Sequence, residues 1–114
     1  MGNFDYSFAP RVANAFATPY PAYACKTLTV SGLSVDYSLK DNSSLFTILS
    51  APVEFLIKDI TQDISIKLNS TDHDAVPIGV GTTFGASPFV TTDIYVTVSG
   101  SSTATFTIFA MGWK

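Results

Sequence analysis

The sequence predicts an all-β fold: a single antiparallel β-sandwich, jelly-roll-like, with about eight strands and an extended N-terminal arm. Three observations lead to this prediction. From Lys26 onward, apolar and polar residues alternate with a period of two, which is typical of strands with one buried face. β-branched and aromatic residues dominate these runs, and turn-forming residues separate them. We find no helical pattern of useful length.

The 114-residue chain is short enough for one domain, which we divide into an extended arm (1–24) and a β-sandwich (25–114). Three prolines, Pro10, Pro19 and Pro21, forbid a long helix in the arm. The arm is unusually aromatic for a disordered tail, so its rings should be buried against a neighbouring subunit or against their own sandwich. We predict that it holds the subunit onto a partner. The predicted partner-binding residues are Phe4, Tyr6, Phe8, Phe16, Tyr20 and Tyr23.

The alternation also predicts which side chains point into the core. Turn residues separate the strands at 31–32, 41–44, 51–52, 69–74 and 99–102. The residues expected to face inward are Leu33, Val35, Tyr37, Leu39, Val53, Phe55, Ile57, Ile64, Ile66, Leu68, Ile94, Val96, Val98, Phe106 and Ile108. Phe109 is expected on the opposite face. We expect Phe55, Ile66, Val96 and Phe106 to share one largely buried core.

Composition argues against two classes of partner. Only 13% of the residues are charged and the net charge is −3, without the basic stripe that nucleic-acid binding needs. The apolar runs are too short to span a bilayer, and the N-terminus does not resemble a signal peptide. We therefore expect no nucleic-acid or membrane partner. So low a charge favours a chain that packs against neighbours.

The residues that could carry chemistry are few. His73, the only histidine, lies between Asp72 and Asp74 in a segment rich in turn residues. A metal site needs at least three ligands on a rigid scaffold, so we interpret this triplet as a turn and expect no metal. Cys25, the only cysteine, is interpreted as a small buried apolar residue.

Three further features have structural interpretations. Glu54 should be a solvated charge on the polar face of a strand, although a carboxylate pair for glycoside hydrolysis is conceivable. The segment "GVGTTFG" (79–85) lacks the lysine and the following helix of a phosphate loop, so it should connect two strands. Trp113 should cap the core or an interface rather than stack on a sugar. We expect no enzymatic activity, no catalytic residues and no cofactor.

The order of strand and turn residues in the C-terminal half, Ile60 to Lys114, is similar to that of a known class of proteins. The order is "DISIKLN", a polar turn, "VPIGVGTTF", and then "TDIYVTVSGSSTATFTIFAMG". This pattern of strand and turn residues resembles small β-sandwich structural proteins of tailed bacteriophages, over roughly half the chain. The resemblance implies a protein that decorates or cements capsids, or that builds fibres and neck parts.

Two hypotheses from different classes follow. The first is a virion structural protein, a capsid decoration or cement protein that forms homo-oligomers and binds other virion proteins such as the major capsid protein. The second is a carbohydrate-binding, lectin-like module that uses exposed Tyr and Trp side chains with Asp and Asn. A small hydrolase is a weaker third hypothesis, supported only by scattered carboxylates.

Overall fold

The computed structural model describes residues 22–113, which form a β-sandwich of two four-stranded antiparallel sheets. The eight strands are β1 (Ala22–Val30), β2 (Tyr37–Ser38), β3 (Ala51–Lys58), β4 (Ile64–Leu68), β5 (Val76–Ile78), β6 (Phe84–Ala86), β7 (Ile94–Thr97) and β8 (Ala104–Trp113). Two one-turn helices, α1 (Leu39–Asn42) and α2 (Leu45–Ile48), lie between β2 and β3. The predicted fold class is confirmed.

The strand order is that of a jelly roll. The first sheet has the order β1-β8-β3-β6 and the second β2-β7-β4-β5. Every connection except that between β4 and β5 therefore crosses from one sheet to the other. Because β8 pairs with both β1 and β3 over most of its length, three long strands lie side by side in the first sheet.

The core lies between the sheets, where the period-two alternation places apolar side chains. Phe55 is 2% exposed, and Ile66, Val96 and Phe106 are fully buried, so the predicted shared core is confirmed. In β8 the phase is unbroken: Phe106 and Ile108 face inward, whereas Phe109 points to the other face as expected. Full burial of one such side chain contributes roughly 1.5–3 kcal/mol.

The predicted strand over 33–39 is wrong. Leu33 and Val35 are exposed in a loop, and β2 is only two residues long. Leu33 and Asp36 have φ values of 65° and 48°, which interrupt an extended strand. The chain continues from β2 into the one-turn helix α1, which Ser38 caps: its Oγ accepts a hydrogen bond from the backbone N–H of Asp41 at 3.1 Å.

The predicted turn at Ala51-Pro52 is wrong as well, since both residues belong to β3. Pro52 lies opposite Gly112, and the register shifts between Pro52 and Glu54. A proline lacks the N–H of the strand ladder, and such an irregularity in register is where a strand tolerates it. The carbonyl group of Pro52 still takes part in the fold, because it accepts a hydrogen bond from the Thr91 N–H at 2.8 Å.

One loop contact requires glycine. A Cβ at Gly32 would lie 2.3 Å from the backbone oxygen of Ser101. The β1–β2 and β7–β8 loops can therefore approach one another only because position 32 has no side chain. Leu33 N–H donates a hydrogen bond to Gly100 O across the same contact, at 2.9 Å.

The predicted arm meets the sandwich at the start of β1. Ala22, Tyr23 and Ala24 are the first residues of this strand, with Ala22 opposite Gly112 of β8. Residues 1–21, and with them the other five predicted partner-binding aromatics, lie outside the described residues. In the described part of the chain, no helix has the length and apolar character needed to cross a membrane.

Candidate functional site

The outer face of the first sheet is divided into a polar half and an apolar half. Outward-pointing residues on paired strands form rungs across the sheet. Near the β1–β2 loop the rungs are polar, with Thr27 opposite Thr107 and Thr107 opposite Lys58. Near the start of β1 the outward side chains are mainly apolar. They form what we call the apolar patch: Tyr23, Cys25, Leu56, Phe109, Met111 and Trp113.

Strand pairing builds the apolar patch from two complete rungs. Cys25 lies opposite Phe109, which lies opposite Leu56. Tyr23 lies opposite Met111, which lies opposite Glu54. These residues are distant in sequence, and only the register of β1, β8 and β3 brings them together.

The apolar patch is open to solvent. Tyr23 is 68% exposed, Trp113 51% and Leu56 38%. Tyr23 and Phe109 have their ring centroids 5.8 Å apart at an interplanar angle of 32°. Apolar side chains that cluster on the surface and remain exposed often mark sites of interaction with another molecule. The patch is therefore the strongest candidate site among the described residues.

A shallow groove runs through the apolar patch toward β6. Its volume is about 440 Å³, and its lining residues are Glu54, Phe55, Leu56, Gly85, Ala86, Ser87, Phe109 and Met111. Gly85 lies opposite Leu56, and without a side chain it leaves the groove open at this rung. A Cβ at Gly85 would lie 3.2 Å from Leu56 Cδ1. Glu54 and Ser87 bring polar groups to a wall whose other side chains are apolar.

The outer face of the second sheet has a different character. Its outward residues include Ser65, Lys67, Tyr95 and Thr97. Lys67 Nζ lies 3.4 Å from Asp36 Oδ1 in a partly exposed ion pair. This face is suited to water, so the outer faces of the two sheets differ in character.

Two sequence interpretations are corrected at the apolar patch. Cys25 is exposed, not buried, because the alternation of β1 points Ala24 inward and Cys25 outward. Trp113 does not cap the core, since half of its surface remains exposed at the end of β8. A role for Trp113 in an interface stays a prediction.

His73 lies in the β4–β5 loop, so its interpretation as a turn residue is confirmed. Its backbone N–H donates to Ser70 O at 3.2 Å, and its ring Nδ1 donates to Leu68 O at 2.6 Å. Because the carbonyl oxygen can only accept, this contact places a proton on Nδ1. Within residues 22–113, no three His, Cys, Asp or Glu side chains are grouped closely enough to hold a metal ion.

The connection "GVGTTFG" joins β5 to β6, as the sequence predicted. Gly81 has a φ of 78°, a conformation that glycine adopts without strain. Thr82 closes the turn through its Oγ, which donates a hydrogen bond to Gly79 O at 2.6 Å. The segment has the geometry of a tight strand connection.

Sequence reasoning missed Asp93, a carboxylate that is 7% exposed. Ser38 Oγ donates to its Oδ2 at 2.6 Å, while the backbone N–H groups of Lys40 and Ile94 donate to Oδ1 at 3.0 and 2.7 Å. The negative charge of Asp93 raises the pKa of Tyr95, and desolvation of the phenol acts in the same direction. Asp93 thus ties the start of α1 to β7, which is a structural role.

Comparison with known proteins adds information on the fold. No family model matches the chain, and no curated protein matches it. Among solved structures, it is similar to the crystal structure of protein NMB1881 from Neisseria meningitidis, with a TM-score of 0.50 and 6% sequence identity. The match covers 97% of this chain and 100% of that one. At this identity the likeness concerns the fold alone.

Proposed function

We propose that this protein is a virion structural protein, a capsid decoration or cement protein of a tailed bacteriophage that acts through protein–protein contacts. The observation that carries the proposal is the apolar patch on the outer face of the first sheet. The resemblance of residues 60–114 to phage structural proteins supplies the virion context.

The apolar patch is suited to binding a protein surface. Its side chains stand on three long paired strands, so their positions are fixed before a partner arrives. A preorganised surface loses little conformational entropy on binding, and this increases the affinity obtained from a given contact. Aromatic side chains and methionine are also enriched at the centres of protein interfaces.

The rest of the molecule supports the same function. The chain has only 13% charged residues, which suits a subunit that is surrounded by neighbours. Jelly rolls build many viral capsids, but they also form lectins and other domains, so the topology alone does not select a function. The partners in this proposal are other copies of the chain and virion proteins such as the major capsid protein.

The direct test is to look for the protein in virus particles. Phage particles from cells that carry the gene are banded on a density gradient and probed with an antibody against the chain. We expect many copies in the particle band, cross-linkable to the major capsid protein. Absence of the protein from intact particles would contradict the virion assignment.

A pair of variants tests the role of the apolar patch. Leu56→Asp places a charge at its centre, and the matched control Val35→Asp places the same charge at a residue that is 75% exposed in the β1–β2 loop. We expect Leu56→Asp to lose binding to particles, and Val35→Asp to retain it. Equal binding by both variants would mean that the patch is not the contact surface.

The carbohydrate-binding alternative uses the same surface. Tyr23 and Trp113 could stack against sugar rings, and the Glu54 carboxylate could accept hydrogen bonds from hydroxyl groups. Thermal denaturation in the presence of a panel of oligosaccharides distinguishes the two functions. A saturable, sugar-dependent rise in Tm that is abolished by Trp113→Ala would favour the lectin-like function.

A further inference from the structure

We propose that the apolar patch is the docking site for the arm, residues 1–21, of a neighbouring copy of this chain. The inference rests on the proposed assembly function and specifies which surfaces meet. It connects the apolar patch with a segment that carries five aromatic residues, Phe4, Tyr6, Phe8, Phe16 and Tyr20, all of them outside the described residues.

The place where the arm joins the sandwich is the first argument. Residue 21 is followed directly by β1, and the second residue of β1, Tyr23, belongs to the apolar patch. The apolar half of the outer face is therefore the half nearest the arm, while the threonine-rich half lies toward the β1–β2 loop. An arm that leaves one subunit at this end is close to any neighbour that presents the same end.

The sequence at the junction argues for a neighbour over the same subunit. To reach its own patch, the arm would have to reverse direction, and the segment that leads directly into β1, "TPYPA" (18–22), is unsuited to a tight reversal. A type I turn with Pro19 at its second position would need Tyr20 near φ −90°, ψ 0°. Pro21 disfavours that conformation for the residue before it and favours an extended one. There is also no glycine between residues 3 and 31 that could supply a positive-φ turn.

The length of the arm and its aromatic residues also suit binding to the apolar patch of a neighbouring copy. Twenty-one residues span about 70 Å when extended, whereas a nine-residue strand such as β1 is about 30 Å long. The arm could therefore leave its own subunit and still cross the outer sheet face of another. The arm contributes Phe and Tyr rings, and the apolar patch contributes Tyr23, Phe109 and Trp113 with a groove beside them. Aromatic rings in contact stabilise one another beyond the effect of the area that they bury.

The reactivity of Cys25 reports whether an arm covers the apolar patch, because the only thiol of the chain lies within that patch. Its reaction rate with Ellman's reagent is measured over a range of protein concentrations, with light scattering on the same samples to report assembly. We expect the rate to fall at least tenfold as the protein assembles. In the variant Phe8→Ser/Phe16→Ser/Tyr20→Ser, the thiol should remain fast-reacting at every concentration.

Cross-linking identifies the occupant. A donor copy carries Ala17→Cys together with Cys25→Ser, and a heavier, tagged acceptor copy keeps only the native Cys25. A short bismaleimide should join donor to acceptor in the mixture. A control donor with Thr103→Cys in place of Ala17→Cys should not be joined, because Thr103 lies in the β7–β8 loop near the polar half of the face.

The outcomes separate this inference from the proposed function. If the protein assembles or binds particles while Cys25 remains fully reactive and no donor–acceptor product forms, the docking inference is wrong and the assembly function stands. If cross-linking occurs only within one chain that carries both Ala17→Cys and Cys25, the arm covers its own subunit and the inference is also wrong. A protein that remains monomeric and is absent from particles would refute both.

Discussion

Asp93 shows how one residue can organise a region that the sequence pattern does not reveal. Its carboxylate accepts hydrogen bonds from a serine hydroxyl and from two backbone N–H groups, those of Lys40 and Ile94. These donors come from the β2–α1 junction and from β7, which are more than fifty residues apart. The first N–H groups of a helix have no partner within the helix. The Asp93 carboxylate supplies such a partner for the N–H of Lys40 in the first turn of α1.

Replacing Asp93 with alanine should destabilise the protein by on the order of 2–4 kcal/mol, because three donors lose their partner in a buried place. Urea denaturation followed by circular dichroism measures the change. Asp74→Ala, which removes an exposed carboxylate, is the control and should change the free energy of unfolding by less than about 0.5 kcal/mol. Equal effects from the two variants would show that the Asp93 network contributes little.

Tyr95 should make stability depend on alkaline pH. The folded protein raises the pKa of Tyr95 above the ordinary value of 10.0, mainly through the negative charge of Asp93. Above about pH 10 the unfolded chain loses this proton before the folded protein does, so the free energy of unfolding falls as pH rises. The fall should be smaller in Tyr95→Phe, as measured by urea midpoints on either side of pH 10. An identical fall in both proteins would contradict this assignment.

His73→Ala should fold normally and change the free energy of unfolding by less than about 1 kcal/mol, since it removes one exposed hydrogen bond in a loop. We also predict that the purified protein carries no stoichiometric transition metal. Elemental analysis checks this. Zinc at one equivalent, lost in His73→Ala, would show that the triplet of residues 72–74 is a metal site after all.

At the scale of elements, the alternation of each long strand separates two kinds of position. In β8, Phe106 is fully buried, while its neighbour Thr107 points to the outer face. Phe106→Ala should cost about 3–5 kcal/mol, because it leaves a cavity between the sheets. Thr107→Ala, on the same strand, should cost less than about 1 kcal/mol. Comparable denaturation midpoints for the two variants would mean that the strand phase is wrong.

The segment 31–50 shows where alternation is insufficient as a guide. Leu33, Val35, Tyr37 and Leu39 alternate as strand residues do, yet they lie in a loop, a two-residue strand and a helix. Specific hydrogen bonds decide the conformation: Ser38 caps α1 locally, and Ser34 O accepts a hydrogen bond from the distant Val98 N–H at 2.9 Å. Short elements depend on such contacts because they have too few residues for a period to be informative.

At the scale of the whole molecule, the contrast between the two outer faces predicts how assembly responds to salt. Contacts through an apolar patch bury few charges, so sodium chloride should change the dissociation constant of the oligomer by less than about threefold. Sodium sulfate should strengthen assembly, because it favours burial of apolar surface. Sedimentation velocity measures both effects. Marked dissociation in sodium chloride would indicate that ion pairs hold the subunits together.

The sequence by itself determined the fold class, the phase of the core strands β3, β4, β7 and β8, and the turn that contains His73. These features depend on local periodicity and on residue preferences, which are present in the chain before it folds. The tertiary structure decided the exposure of Cys25, the burial of Asp93 and the existence of the apolar patch. The patch combines residues from the beginning, the middle and the end of the chain, and outward-facing apolar residues in a single strand look the same as inward-facing ones. Only the pairing of β1, β8 and β3 places them on one open face.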